Sequence, residues 1–233
     1  AGFTSQLVLD HATEDPYRER CSKWEDYMAE LQLQVETPEL RSRPLVIFAH
    51  SHGCLQAYGL AKRLGPRVRK LYVAARRPPN QALLDEVWGV SKGSEIASLS
   101  DEALLEGMLG AWRNDFLSRF LGKELPPVAR KVCQTVREQY ASPCAPGGSA
   151  ELHLALGEAE VAIPAPIMAI ACSKELAKGE TKEKMEGWQG LTQAGFQLQT
   201  VDADHMECVE TGKSPELTSL VLEDMKNLLA DQR

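Results

Sequence analysis

Apolar residues recur along the chain with two different periods, and the change from one to the other marks out the elements. Leu45-Val46-Ile47-Phe48 is a short unbroken apolar run after Pro44 and predicts a buried parallel strand. Directly after it the spacing widens. Cys54, Ala57, Tyr58, Ala61 and Leu64 lie three or four residues apart, which predicts a helix, and Gly65-Pro66 stops it. A second apolar run from Lys70 to Ala75 predicts the next strand, so the middle of the chain reads as strand, helix, strand with parallel pairing and right-handed crossovers.

The same reading extends in both directions. Ser5 to Asp10 predicts a strand and His11 to Arg20 a polar loop. Ser22 with Glu25 three residues on forms a capping box, opening a helix that carries Trp24, Tyr27, Met28, Leu31 and Val35 on one face and ends by Pro38. Residues 81–140 turn wholly helical. Leu99-Ser100-Asp101-Glu102 opens one helix through Leu104, Leu105, Met108 and Leu109, and Trp112, Phe116, Leu117, Phe120 and Leu121 continue an apolar face. A further helix runs from Pro127 through Val132 and Val136 to Tyr140. Such a block is too long for one crossover and predicts a lid inserted between strands. Ser142 to Ser149, rich in Pro, Gly and Ser, reads as a linker. Ile163 to Cys172 predicts a buried strand with Pro164 and Pro166 at its front, Gly195 to Asp202 an alternating last strand, and Ser214 to Leu229 a closing helix. The expected fold is α/β, with a mainly parallel sheet and a helical insertion. Its parts are residues 1–80 as the first piece of the core, 81–148 as the lid and 149–233 as the second piece.

Composition narrows the function classes. A formal net charge of -7 over 233 residues argues against nucleic acid as the main partner. No apolar run approaches the roughly 18 residues of a membrane span, and the first residues lack the basic and long apolar regions of a signal peptide. Starting at Ala1, the chain reads as a processed or excised piece. The 6 cysteines have neither a C-x-x-C pair nor ligand-type spacing, which suits free thiols in a reducing, cytoplasmic setting. Arg76-Arg77-Pro78-Pro79-Asn80 forms a basic turn at the carboxyl edge of the sheet, where α/β sheets place ligands. It reads either as a solvated loop or as a site for an anionic ligand or partner.

Candidate chemistry centres on Ala49-His50-Ser51-His52-Gly53. A serine between a buried strand and a helix, flanked by small residues, has the setting of a nucleophile elbow, with Ala49 where glycine is usual. The backbone N–H of His52 would be one oxyanion donor at the helix N-terminus. A serine hydroxyl needs a base, and the base an orienting acid. Of five histidines, His50 and His52 flank the serine and are not natural bases. His153 sits within Leu-His-Leu, whereas His205 follows the last strand, where the order serine, acid, histidine puts the base. The acid belongs after the strand ending at Cys172. Glu175 comes first there and Glu180 second, while Asp202 and Asp204 read as turn formers. His50-x-His52 also resembles half of a metal-ligand set, but no Asp-His pair completes it, and neither a metal nor a cofactor is expected.

Nearly the full chain resembles the type II thioesterases of polyketide and nonribosomal peptide synthesis, and more loosely the medium-chain acyl thioesterases of fatty-acid synthesis. The family's Phe-Gly-His-Ser-Met-Gly elbow, with a helix ending in Ala-Arg-Arg-Leu, is similar to Phe48 to Leu64. Its double-arginine turn is similar to Val73 through Pro79, its Leu-Ser-Asp-Glu-Glu-Leu-Leu lid opening to Leu99 through Leu105, and its Gly-Gly-His to Ala203-Asp204-His205. The resemblance implies an α/β-hydrolase fold. It also implies hydrolysis of acyl groups from the phosphopantetheine arm of an acyl carrier protein, or from acyl-CoA, through an acyl-enzyme on Ser51, with His205 as base. The family's acid is usually aspartate, so Glu175 departs from the pattern. A larger departure is the front: the family's Pro-x-Ala-Gly-Gly loop, which donates the second oxyanion N–H, has no counterpart here. Losing one donor costs about 100- to 1000-fold in turnover. The chain is therefore expected to be a fragment, a hydrolase with an unexpected second donor, or an inactive relative. The competing classes are a non-catalytic acyl or carrier-protein binding module and a carboxylesterase or lipase.

Overall fold

The computed structural model describes residues 24–51, 53–79, 93–111, 118–141, 162–176, 182–210 and 212–230. The strand expected at Ser5 to Asp10, Ser22 of the capping box, Trp112, Phe116, Leu117 and the linker at Ser142 to Ser149 lie outside these residues, as do His52, His153 and Glu180.

Four parallel strands form the sheet among the described residues, in the order β1 (Leu45–His50), β2 (Val68–Ala74), β3 (Ile167–Cys172) and β4 (Phe196–Val201). Helices α1 (Trp24–Val35) and α2 (Gly53–Leu64) precede β2. Helices α3 (Asp101–Ala111) and α4 (Pro127–Ala141) come between β2 and β3 in the chain, and α5 (Pro215–Ala230) follows β4. Register runs through the sheet as His50 against Ala74, Ala74 against Ile170, and Cys172 against Val201. Every strand therefore ends at the same edge.

Side chains that alternate along a strand face opposite ways, so a parallel sheet covered on both sides needs two apolar layers. Leu71, Val73, Ile167, Ala169 and Ala171 meet α1, α2 and Trp188 in one cluster. Tyr72, Ala74, Met168, Ile170 and Cys172 meet Leu217, Leu220, Val221 and Met225 of α5 in another. A polar contact fixes this second layer: the Tyr72 hydroxyl donates to Asp224 Oδ2 at 2.6 Å, and Lys70 Nζ lies 3.3 Å from the same oxygen.

Helix α2 is buried on more of its circumference than its stripe predicts, because Leu55, Gln56, Gly59 and Leu60 are buried as well. A Cβ at Gly59 would stand 2.8 Å from Trp24 and 2.9 Å from Met28, so glycine is what lets α1 seat against α2. The α3–α4 region holds a separate cluster of Ile96, Leu104, Leu105, Met108, Cys133 and Val136. The Ser100 hydroxyl caps α3 by accepting the Ala103 N–H at 3.1 Å, and Arg137 of α4 pairs with Asp101.

Two expectations are corrected. The run from Ile163 does not enter the sheet until Ile167; Ile163 makes only an isolated bridge to Thr192. Pro164 and Pro166 offer no N–H to a ladder, which delays the strand. The Arg76-Arg77 turn is no solvated loop: Arg76 and Arg77 are 5% and 6% exposed, and the indole of Trp188 donates to the Arg76 carbonyl at 2.8 Å. Cys54, Cys133, Cys172 and Cys208 are free and buried. Among the described residues no helix is long and apolar enough to cross a membrane.

Candidate active site

Three side chains from three loops meet at the carboxyl edge of the sheet. Ser51 follows β1 directly, Glu175 lies in the single turn Ser173–Leu176 after β3, and His205 lies in the loop after β4. The elbow is built from backbone first. Ser51 has φ of +52°, a conformation rare outside glycine, and it is held there by its N–H donating to Ala74 O at 3.0 Å and its carbonyl accepting the Cys54 N–H at 3.0 Å. Strain of this kind persists because β1 and α2 over-determine the turn, and it lifts the hydroxyl above the strand ends.

His205 bridges the other two groups. Its Nδ1 lies 2.7 Å from Glu175 Oε1 and its Nε2 lies 2.9 Å from Ser51 Oγ. A carboxylate only accepts, so Nδ1 carries the proton and Nε2 accepts from the Ser51 hydroxyl. Glu175 and His205 are each 5% exposed, so their contact is buried, and a carboxylate held against an imidazole there can stabilise its protonated form.

The loops that carry His205 and Glu175 are laced together by polar groups. Asp204 Oδ1 accepts the N–H groups of Met206 and Glu207 at 2.9 and 2.8 Å, which shapes the turn beginning at His205. Lys174 Nζ donates to Glu207 Oε2 at 2.6 Å, the Lys174 N–H donates to Ala203 O at 3.2 Å, and the Ser173 hydroxyl donates to Asp202 Oδ1 at 3.0 Å. Glu216 of α5 accepts the Asp202 N–H at 2.9 Å. Asp202 and Asp204 thus act in the turns, as their position in the sequence suggests. Against the acid, the Cys172 thiol is kept protonated by its hydrogen bond with Cys208, by burial and by the Glu175 charge.

Sequence reasoning passed over His50 as a member of the site. Its Nε2–H donates to the His205 carbonyl at 2.7 Å, and the two imidazole centroids are 4.7 Å apart at 54°. Burial, followed by the neighbouring His205, lowers its pKa from 6.5 to about 3. No local signal in the sequence points to this contact, since the partner is 155 residues away. The structure brings together Ser51, Glu175 and His205; His52, the expected oxyanion residue, is among those outside the described set.

Neither a family model nor a curated protein sequence matches the chain. Solved structures do. The RedJ thioesterase from the prodiginine biosynthetic pathway in Streptomyces coelicolor is 18% identical, with a TM-score of 0.56 over 89% of this chain and 72% of that one. A lipase-esterase related protein from Clostridium acetobutylicum is 17% identical, with a TM-score of 0.54 over 89% and 76%. The type II thioesterase BorB from the borrelidin biosynthetic cluster is 22% identical, with a TM-score of 0.50 over 87% and 73%. With its parallel sheet, its helices on both faces and a serine, a glutamate and a histidine gathered at the strand ends, the chain has the α/β-hydrolase fold.

Proposed function

We propose that the chain is a serine thioesterase that hydrolyses acyl groups from a phosphopantetheinyl carrier protein or acyl-CoA through an acyl-enzyme. One observation carries the reading: the continuous hydrogen-bonded line from Ser51 through His205 to Glu175. The names of RedJ and BorB, both thioesterases, support the choice of thioester over other acyl substrates.

In this reading Ser51 Oγ attacks the thioester carbonyl as its proton passes to His205 Nε2, and Glu175 stabilises the imidazolium. The tetrahedral intermediate expels the thiolate, which leaves as a thiol with the proton from His205. Water then attacks the acyl-Ser51 ester, giving its proton to His205, and the free acid departs as Ser51 regains its hydrogen. The N–H of His52, next in the chain after the nucleophile, takes the role of oxyanion donor. Residues 81–148 serve as the lid between core pieces 1–80 and 149–233, and the protein works in the cytoplasm. No cofactor enters this chemistry.

The test is intact-mass analysis after treatment with a fluorophosphonate, followed by matched thioester and oxygen-ester substrates. A single adduct on the wild type, absent in Ser51→Ala, together with faster thioester turnover, is expected. Preference for oxygen esters would make the protein a carboxylesterase. No adduct on folded protein would make it a binding module for acyl groups or their carrier.

A further inference from the structure

We propose that His50 is a positioning residue for the base, a role that rests on the hydrolase reading above: it holds the His205 backbone in line with Ser51 by donating Nε2–H to the His205 carbonyl. Ser51 and His50 are consecutive, so one short segment at the end of β1 carries both the nucleophile and the brace on its partner. His205 is thereby gripped at two points from the same origin. Its side chain meets Ser51 Oγ at 2.9 Å, and its main chain meets His50 Nε2 at 2.7 Å.

The origin itself is stiff. His50 stands opposite Ala74 in the β1–β2 register, and the next N–H in the chain bonds the Ala74 carbonyl at 3.0 Å. By contrast, His205 begins a turn with no strand or long helix of its own, shaped by Asp204 and tied to the Lys174 side by Glu207. His50 restrains the main chain of His205 from the segment that carries Ser51. The tilted rings, with centroids 4.7 Å apart, set a second condition: the brace has to stay uncharged when His205 becomes imidazolium, because two cations at that distance would repel. A pKa near 3 meets that condition at working pH.

The experiment compares wild type with His50→Gln, which keeps an amide donor near the Nε2 position, and with His50→Phe and His50→Leu, which remove the donor. Two readouts are taken on variants shown by circular dichroism to be folded: the rate of fluorophosphonate labelling across pH, and the downfield NMR resonance of the His205 Nδ1 proton against Glu175. Loss of the donor is expected to slow labelling by about 10- to 100-fold, the cost of a misplaced catalytic group, with KM for a thioester little changed and the downfield proton broadened by exchange. His50→Gln should stay within about threefold of wild type, as a retained hydrogen bond requires. Wild-type labelling by His50→Phe and His50→Leu would overturn the proposal, as would His50→Gln matching their loss. Should the wild type itself not label, the hydrolase reading fails while the resonance still decides. A downfield proton kept in His50→Gln and broadened in the apolar variants upholds the brace, and one unchanged in all of them refutes it.

Discussion

The two sides of the site are held by different physics. On the nucleophile side, Ser51 is positioned by packing and a strained backbone, and three ionisable groups of β1 and α2 are uncharged. Burial pushes the Cys54 thiol and the Tyr58 hydroxyl up to about 12 and, with His205, holds His50 near 3, so none of the three carries charge near neutrality. On the base and acid side the scaffold consists of charges at work. Asp204 caps a turn, Lys174 pairs with Glu207, and Glu216 reaches from α5 to the Asp202 amide. Hydrogen bonding to Lys174 lowers the Glu207 pKa and hydrogen bonding to Glu207 raises that of Lys174. A nucleophile needs one strained conformation, which a tightly packed strand and helix can enforce. A base on a loop needs orientation, which directional polar contacts supply.

This contrast can be broken at graded points. The largest effect belongs to the nucleophile itself: Ser51→Ala should lower kcat by about a million-fold, as removal of a triad serine does, and abolish fluorophosphonate labelling. Glu175→Gln should cost about 10,000-fold in kcat, because an amide no longer fixes the Nδ1–H tautomer of His205. Its folding should be little altered, and pre-steady-state kinetics would check that the loss lies in acylation.

Acid unfolding tests the uncharged state of His50. His50 has a folded pKa of about 3 against 6.5 when free, so between those values the unfolded chain binds a proton that the folded chain refuses. Its contribution is complete above pH 6.5 and is lost as pH falls toward 3, a few kcal/mol in all. Urea titrations of wild type and His50→Gln should diverge in slope across that window, and parallel slopes would show that His50 is protonated in the fold.

Smaller changes are expected on the polar side. Asp204→Ala leaves two amide donors uncapped and should cost about 1 kcal/mol in stability, the usual worth of such a cap, together with about a tenfold fall in kcat. Lys174→Ala removes a pair that faces solvent; its effect on kcat should stay below about threefold and vanish at high salt. A large, salt-insensitive loss there would mean that the two sides are not held as differently as their charges indicate.

What could be read from the chain alone follows the range of the signal. The strand at Leu45, the helix from Gly53 and the serine between them were legible because strand, turn and helix occupy consecutive residues, each with its own period. His205 could be reached by chain order, since the base of this fold follows the last strand. Position after the strand ranked Glu175 ahead of Glu180, but both are glutamates after the same strand and the sequence carries no contact that separates them. It is the turn at Ser173–Leu176 that carries Glu175 to within 2.7 Å of His205. Likewise the paired arginines at 76 and 77 are charged by type and buried by circumstance, and His50 belongs to the site only because β1 and the loop after β4 end side by side. Periodicity determines which face of an element is apolar, a property of neighbours along the chain. Which polar groups touch across the strand ends depends on where loops more than a hundred residues apart converge, and only the assembled sheet decides that.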